Sequence, residues 1–232
     1  MLLGITVGCS AVRNLPEGSV LLRKNTVIVD DQAAVDTVAN IVQPKPNNRF
    51  LGIPFGLLLY QSAKDSTDVA FDNWLTKKPG RKKRMNAIWS EKQLKKMKAY
   101  KNGFQAWKRK TGEAPVLSDS ISTAINAQKL KAFFSNEGYF NAVVKTMVST
   151  KKRNAAVNYN VSTNTPYFID SIQANIQSPV LDSIYEANKV NSKLKQGDRF
   201  RTTAFEQERN RLSAMFRNAG VYPFQLNSID FS

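Results

Sequence analysis

The chain has 232 residues, with 34 Lys and Arg against 18 Asp and Glu, one cysteine and no histidine. This composition excludes a Cys/His zinc site, a Ser-His-Asp triad, a Cys-His pair and an internal disulfide. The length suits one large domain or two small ones. No phosphate-binding or calcium-binding loop pattern is present. We therefore expect no enzyme, no cofactor and no metal, although a Ser–Lys dyad or a carboxylate pair that meets only in space stays open.

The N-terminal residues are apolar up to Gly8 and Cys9 and polar after them. A small residue directly before a cysteine near the N-terminus resembles the lipobox of bacterial lipoproteins, in which the signal is removed and the cysteine is acylated. Thr6 stands where an aliphatic residue is usual, and only eight residues precede Cys9. The alternative is that Cys9 is an ordinary small apolar residue. We predict lipidation at Cys9 and interpret residues 1–18 as a lipoprotein signal remnant and linker.

The next segments predict a strand and a helix. Residues 20–29 are apolar at both ends and polar in the middle, which is typical of one bent strand or of a tight hairpin. Asp30 and Asp31 then offer N-caps for a helix over residues 32–42. Residues 51–60 are the longest apolar run, and they fall far short of the roughly 20 apolar residues that a membrane-spanning helix needs.

Most of the net charge of +16 lies in residues 77–110, which contain fourteen Lys and Arg and one acidic residue. Within this segment, residues 79–84 predict an exposed loop, and Ser90 and Gln93 have the spacing of a helix capping box. The pattern after Gln93 predicts an amphipathic basic helix that ends near residues 111–112. Its apolar stripe consists of Leu94, Met97, Tyr100, Phe104 and Trp107.

Several interpretations of this basic segment stay open. The helix packs its apolar stripe on the domain with its lysines in solvent, or it adheres to anionic lipid headgroups. Contact with nucleic acid or with a protein partner is the remaining choice. No nucleic-acid-binding motif is present, so we expect no nucleic acid partner. The candidate residues for contact with an anionic surface are Arg81, Lys82, Lys83, Arg84, Lys95 and Lys96.

A helix followed by a hairpin is predicted after the basic segment. The helix begins at residues 118–119 and stops at Gly138, which suits a left-handed C-terminal cap. Residues 139–149 predict a strand, residues 151–154 a basic turn, and residues 155–161 a returning strand. The alternation in the returning strand indicates one buried face and one solvated face. The residues on its apolar face are Ala155, Val157, Tyr159 and Val161.

The C-terminal part predicts a second set of similar elements. Thr203 and Glu206 have the spacing of a capping box that opens a helix ending at Gly220. The other predicted elements are a strand over residues 167–176, a helix over 181–187, a turn over 196–198 and a strand over 222–231.

Two stretches of the chain are similar at an offset of 82 positions. The coinciding pairs are Leu130/Leu212, Ala132/Ala214, Phe134/Phe216, Asn136/Asn218 and Gly138/Gly220. We therefore expect a tandem of one small α+β unit. Unit 1 covers residues 19–163, with a basic helical insert at about 77–112, and unit 2 covers residues 164–232 and is incomplete at its C-terminus.

The order strand–helix–helix–strand–strand, with Asn-x-Gly-Tyr-Phe at the end of the second helix, resembles the polypeptide-transport-associated (POTRA) domains of BamA/TamA-class outer-membrane assembly factors. More narrowly, the chain resembles the lipidated TamA-like (TamL) family of Bacteroidetes over nearly all of residues 9–232. The segments that carry this resemblance are LPEGSVLLRKN after Cys9, NNRFLGIPFGLLLY, FDNWL, GEAPVLSDS, GYFNAVV and PYFIDSI. The basic insert is longer than the family leads us to expect, so its role is not carried over.

The resemblance implies an α+β fold of tandem POTRA-like β-α-α-β-β units, with mixed three-stranded sheets and helices on one face. It also implies a non-enzymatic protein, lipid-anchored on the periplasmic side of the outer membrane, that receives unfolded outer-membrane polypeptides by strand addition and hands them to a downstream β-barrel. The edge strand is residues 139–149 or residues 20–29. The alternatives are a basic nucleic-acid-binding protein and an outer-membrane lipoprotein scaffold that binds no client.

Overall fold

The computed structural model describes residues 11–64 and 67–231, which contain both strands and helices. The α+β class is confirmed. The elements are β1 (Leu21–Val29), β2 (Gln32–Ala33), α1 (Asp36–Ala39), α2 (Phe55–Gln61), α3 (Thr67–Thr76), α4 (Arg81–Ile88), α5 (Glu91–Thr111), α6 (Ser120–Asn136), β3 (Val143–Lys151), β4 (Asn154–Ser162), α7 (Pro179–Asn188) and α8 (Thr202–Asn218).

The strands form one mixed sheet with the order β2-β1-β4-β3. β1 and β2 are antiparallel. β1 and β4 are parallel, because Leu21 N donates to Arg153 O and Asp30 N donates to Val161 O, both at 2.9 Å, so the paired residue numbers rise together. β3 and β4 are neighbours joined by a two-residue turn and therefore run antiparallel. The sheet has a fourth, very short strand beyond the three that we expected.

Residues 20–33 form a strand and a tight turn rather than a strand and a helix start. β1 is a single strand, so the hairpin alternative for this segment is wrong. Asp30 and Asp31 have φ of 46° and 65° and form the turn into β2, so their predicted role as N-caps is wrong as well. Aspartate tolerates the left-handed conformation that a two-residue hairpin turn requires. The helix expected over residues 32–42 is reduced to the four residues of α1.

The predicted alternation of β4 is confirmed. Its inward residues are buried and its outward residues are partly accessible, as the one-sided pattern requires. On α6, Leu130 and Phe134 are buried, and the buried amide of Asn126 donates to Tyr159 Oη at 3.3 Å. The buried residues of β4 are Ala155, Val157, Tyr159 and Val161.

The two 17-residue helices α6 and α8 end in the same way, as the repeat predicts. Gly138 and Gly220 have φ of 88° and 95°. Tyr139 N donates to Phe134 O at 2.8 Å, and Val221 N donates to Phe216 O at 3.0 Å, which is the long bond of a Schellman cap. Both helices thus have the glycine stop that the sequence predicts, and the tandem repeat itself stays a prediction.

The C-terminal strands that we expected are not formed in the described residues. Residues 167–176 contribute one antiparallel bridge, Phe168 to Arg199, and residues 222–231 contain only the 3-10 turn Leu226–Ser228. A strand needs a ladder partner, and residues 222–231 have none in the described part of the chain. The predicted capping box of Thr203 and Glu206 is also wrong, because the N-cap residue of α8 is Arg201, two residues before Thr203, and it makes no side-chain cap.

The chain divides into two compact units. Unit 1 consists, within the described residues, of residues 11–25, Gln43–Thr123 and Met147–Val157, and its core includes Ala11, Leu15, Leu21 and Leu57. Unit 2 consists of Thr26–Val42, Ala124–Thr146 and Asn158–Ser232, and its buried residues include Leu130, Phe134, Tyr159, Leu212 and Phe216. The tandem boundaries that the repeat suggests remain a prediction.

Candidate binding surfaces

β3 is the outermost strand of the sheet. In residues 11–64 and 67–231, no strand and no bridge lies along its outer side. Its side chains are exposed on both faces, apart from the partly covered Val144. The backbone N–H and C=O groups on that side can therefore pair with a further strand.

The turn between β3 and β4 determines which backbone groups of β3 point outward. Lys152 and Arg153 have φ of 48° and 60°, as in a type I′ turn, and this turn places Lys151 opposite Asn154. Since hydrogen-bonded and non-hydrogen-bonded pairs alternate in an antiparallel ladder, every second residue of β3 directs its backbone groups away from β4. The residues with outward backbone groups are Val144, Thr146, Val148 and Thr150.

The other strand that the sequence left open as an edge, β1, is covered on the side away from β4. β2 pairs with its C-terminal end, at Ile28 and Val29. At its N-terminal end, Leu22 N donates to Val116 O and Ser118 N donates to Val20 O, both at 2.8 Å. Of the two candidates, β3 is the open edge.

The basic segment is helical from Arg81 onward, apart from the short break at residues 89–90 between α4 and α5. The exposed loop that we expected at residues 79–84 is limited to the turn at residues 79–80, because α4 begins at Arg81, directly after Gly80 with φ of 77°. Lysine and arginine are good helix formers, and the left-handed glycine supplies the turn that a loop was expected to make. The guanidinium of Arg81 lies 4.8 Å from the ring centre of Trp74 and also donates to the carbonyl oxygen of that residue.

α5 begins with the capping box that the sequence predicts. Gln93 N donates to Ser90 Oγ at 3.3 Å, and Ser90 N donates to Gln93 Oε1 at 2.8 Å. The helix ends at Thr111, where the basic residues Lys108, Arg109 and Lys110 occupy the last turn. Cations are favourable at a helix C-terminus because of the helix dipole.

The apolar stripe predicted on α5 packs on the protein only at its N-terminal end. Leu94 is buried and Met97 is half-buried, whereas Tyr100, Phe104 and Trp107 are 82%, 49% and 49% exposed. Polar contacts hold the helix instead: Lys98 pairs with Asp72 at 2.8 Å, and Gln105 Oε1 accepts from Lys64 N at 3.0 Å. With α5 held in this orientation, the side of the helix that carries the three aromatic residues faces solvent. The interpretation in which the whole stripe packs on the domain is therefore wrong.

Glu113 holds the chain directly after α5. Its carboxylate accepts from Asn48 N at 2.9 Å, from Asn48 Nδ2 at 2.8 Å and from Asn47 Nδ2 at 3.3 Å. Burial raises the pKa of this carboxyl, but these hydrogen bonds to the charged form outweigh it and hold the pKa below the ordinary glutamate value. The C-terminal end of α5 is thus fixed to the segment at residues 47–48.

The six basic residues named from the sequence lie on two helices. Four of them are on α4 and two are on the solvent side of α5, and all but the half-buried Arg81 are exposed. The spacing of Tyr100, Phe104 and Trp107 does not identify them as surface residues, because the same spacing predicts a packed stripe. Cys9, the predicted lipidation site, lies outside the described residues.

A small polar cleft of about 320 Å³ lies at the C-terminal ends of β1 and β4, lined in part by Asp30, Asp31 and Asn160. Thr163 donates to the Asp30 carboxylate from Oγ1 at 2.6 Å and from N at 2.9 Å. These two hydrogen bonds hold the Asp30 pKa below its usual range. Among the described residues, no cluster of three potential metal ligands occurs, and no helix is long and apolar enough to span a membrane.

Comparison with known proteins gives a distant structural likeness. No protein-family model and no curated protein matches the chain. The crystal structure of Haemophilus influenzae BamA POTRA3-5 is similar, with 10% sequence identity, coverage of 89% of each chain and a TM-score of 0.28. At this identity and TM-score, the likeness supports no assignment of function.

Proposed function

We propose that this chain is a periplasmic polypeptide-binding region of an outer-membrane protein assembly or translocation factor, and that it receives unfolded outer-membrane polypeptides by strand addition along β3. The open outer side of β3 is the observation that carries the proposal. The motif order quoted for the POTRA resemblance supports it.

Strand addition suits a receiver of many clients. The affinity comes from backbone hydrogen bonds, which every polypeptide can make, so the sequence requirement is low. The exposed apolar side chains Met147 and Val148 add contact area for a client strand. Lys145 and Lys151 lie on the same strand, and charged side chains on an edge disfavour pairing between two copies of the protein.

The proposed location is the periplasmic side of the outer membrane, with the acylated Cys9 as the anchor and a β-barrel downstream as the acceptor of the client. Cys9→Ala is expected to move the protein from the membrane fraction to the soluble fraction of cells. Unchanged fractionation of that variant contradicts lipidation and leaves the β3 proposal in place.

The direct test removes one outward N–H of β3. Proline has no N–H and is tolerated in an edge strand where that group faces solvent. Val148→Pro is therefore expected to keep the fold but to weaken the binding of a fluorescently labelled peptide, taken from a strand of an outer-membrane β-barrel, by about tenfold or more, because each lost hydrogen bond costs about 0.5–1.5 kcal/mol and the ring blocks close approach. Fluorescence anisotropy measures the dissociation constant.

The matched control is Val148→Thr, which keeps the N–H and the branched shape of the side chain. It should bind the peptide within about threefold of the wild type, since a surface change of this kind costs roughly 0.5 kcal/mol. If Val148→Pro, folded by circular dichroism, binds as tightly as Val148→Thr, strand addition along β3 is wrong.

A scaffold that binds no client is the competing function. A photocrosslinking amino acid in place of Met147, whose side chain is exposed, distinguishes the two in cells. Crosslinks to unfolded outer-membrane proteins are expected from a receiver. Their absence, with the protein present at its normal level, would favour the scaffold.

A further inference from the structure

The exposed face of α5 carries a row of aromatic side chains that continues into lysines at both ends. Tyr100, Phe104 and Trp107 are spaced by four and three residues and so share one side of the helix over about 10 Å. Phe104 and Trp107 stack with a ring-centre distance of 5.6 Å and an interplanar angle of 14°. Lys96, four residues before Tyr100, and Lys110, three residues after Trp107, extend the same row and are exposed.

Further cations lie beside this row. Lys108 Nζ is 4.9 Å from the ring centre of Phe104, and Lys101 Nζ is 5.4 Å and 5.6 Å from the ring centres of Phe71 and Trp74. On α4, exposed basic residues are followed by Ile88, which is exposed as well. We call the following set the basic aromatic surface: Lys82, Lys83, Arg84, Ile88, Lys92, Lys96, Tyr100, Phe104, Trp107 and Lys110.

The high positive charge of this region favours binding to an anionic partner. Residues 77–110 contain fourteen basic residues and one acid, Glu91. In the rest of the chain, positive and negative residues nearly balance. A polyanion is therefore attracted to these two helices far more strongly than to any other part of the surface.

The arrangement of the aromatic rings favours a lipid surface over a nucleic acid as the binding partner. Recognition of single-stranded nucleic acid uses free aromatic faces on which bases stack. Phe104 and Trp107 already stack on each other, and Lys108 Nζ lies near the Phe104 ring, so one face of each of these two rings is taken. Entry into a headgroup layer requires only an apolar edge between cations, which is the usual composition of a helix lying at a membrane interface.

We infer that the basic aromatic surface binds anionic lipid headgroups, with Tyr100, Phe104 and Trp107 entering the headgroup layer and the lysines around them pairing with lipid phosphates. Lipid binding by α4 and α5 is independent of client binding by β3, and neither result decides the other.

The test measures partition of the full chain onto lipid vesicles. The chain carries Cys9→Ser so that no acyl chain contributes. Vesicles of pure phosphatidylcholine are compared with vesicles of phosphatidylcholine and phosphatidylglycerol by co-sedimentation at low and at physiological salt. We expect binding to the vesicles with phosphatidylglycerol alone, and a marked loss at the higher salt concentration because surface electrostatics are screened.

Two triple variants separate the contributions of charge and of aromatic insertion. Lys92→Gln with Lys96→Gln and Lys110→Gln is expected to lower the partition coefficient about a hundredfold, since each basic residue near an anionic membrane contributes roughly a factor of five. Tyr100→Ser with Phe104→Ser and Trp107→Ser is expected to lower it about tenfold or more, through the loss of buried apolar area.

The control triple variant removes the same charge elsewhere. Lys129, Lys131 and Lys145 are exposed on α6 and β3, and their replacement by glutamine should change the partition coefficient by less than about threefold. An equal loss in this control would show that net charge alone acts and would overturn the inference. So would unchanged binding of the aromatic triple variant, or equal binding to both kinds of vesicle.

Tryptophan fluorescence gives a second readout, and it needs only one conservative substitution. Binding of the wild type should shift the tryptophan emission to shorter wavelength, and brominated lipids should quench it. In Trp107→Phe, which keeps an aromatic ring, partition should stay within about threefold while most of the shift and quenching is lost. If brominated lipids quench Trp107→Phe, in which Trp74 and Trp89 remain, to the same extent as the wild type, Trp107 does not enter the lipid. Tighter binding to duplex DNA than to the anionic vesicles would assign the surface to nucleic acid instead.

Discussion

The backbone of Gly138 lies directly against the carbonyl oxygen of Phe200: a Cβ built on Gly138 would be 2.5 Å from that oxygen. Around the equivalent residue of the repeat, Gly220, no atom lies within 4 Å of such a Cβ. Both glycines have a left-handed φ and end a long helix. The two halves of the repeat therefore share a helix cap, but only the first cap is packed against another backbone segment.

Gly138→Ala is expected to destabilise the protein more than Gly220→Ala. In both variants, an alanine in the left-handed region lowers the free energy of unfolding by about 1–2 kcal/mol. Gly138→Ala also forces the Phe200 carbonyl to move, which adds about 1–3 kcal/mol. Urea unfolding followed by circular dichroism measures the free energy of unfolding of each. Equal losses in the two variants would contradict the close approach of Gly138 and Phe200.

The sequence predicts correctly those elements that depend on residues close together in the chain. Ser90 and Gln93 form the expected box, Gly138 ends α6, and the alternation of β4 gives its buried face. Asp30 and Asp31 were misinterpreted because an aspartate before a helical pattern and an aspartate in a tight turn have the same sequence. Only the pairing of β2 with β1 shows that these aspartates form a turn rather than a helix cap.

The candidate surfaces could be predicted only in part. Charge identifies the basic segment, but the stripe of α5 does not reveal which part of it is covered. That depends on Gln105 and Lys98, whose partners lie 41 and 26 residues away in the chain. The open edge likewise depends on residues 116–118, which cover β1 from a distance of almost a hundred residues.

Glu208 on α8 forms a buried ion pair that should make stability depend on pH. Its carboxylate accepts from Arg211 at 2.6 and 2.9 Å and from Lys193 N at 2.7 Å. Burial raises the pKa of this carboxyl, but the hydrogen bonds from Arg211 and from Lys193 N outweigh it, and the pKa lies below the ordinary glutamate value. The pair therefore contributes stability above the pKa of the unfolded chain, about 4.3, and loses it as the pH falls through the folded-state pKa.

Glu208→Ala should cost about 1.5–3 kcal/mol at neutral pH, because the partly buried Arg211 loses its hydrogen bonds to the charged carboxylate. The exposed Glu206 of the same helix supplies the control, and Glu206→Ala should change the free energy of unfolding by about 0.5 kcal/mol or less. Urea titrations at a series of pH values should show the difference between wild type and Glu208→Ala shrinking as the pH falls below about 4. A difference that stays constant down to the lowest pH would contradict the ion pair.

Arg153, in the turn between β3 and β4, fixes the segment that follows the predicted lipidation site. Its guanidinium donates to the carbonyl oxygens of Val12 and Leu15 at 3.3 Å, of Ser19 at 3.1 Å, and of Pro16. A planar group with five donors can serve several carbonyls at once, whereas the ammonium of lysine is a compact charge with fewer directions. The sequence shows Arg153 only as one of three basic residues in a turn.

Arg153→Lys keeps the charge and the tryptic site but should release the N-terminal segment. The loss of two or more of these hydrogen bonds makes local opening easier by about 1–3 kcal/mol, so trypsin should cleave after the exposed Arg13 about tenfold to a hundredfold faster. Lys152→Arg, in the same turn, is the matched control and should be cleaved at the wild-type rate. Mass spectrometry of a time course identifies the cleavage at Arg13. Equal rates for Arg153→Lys and Lys152→Arg would mean that the segment at residues 12–19 is held by the packing of Ala11 and Leu15 rather than by Arg153.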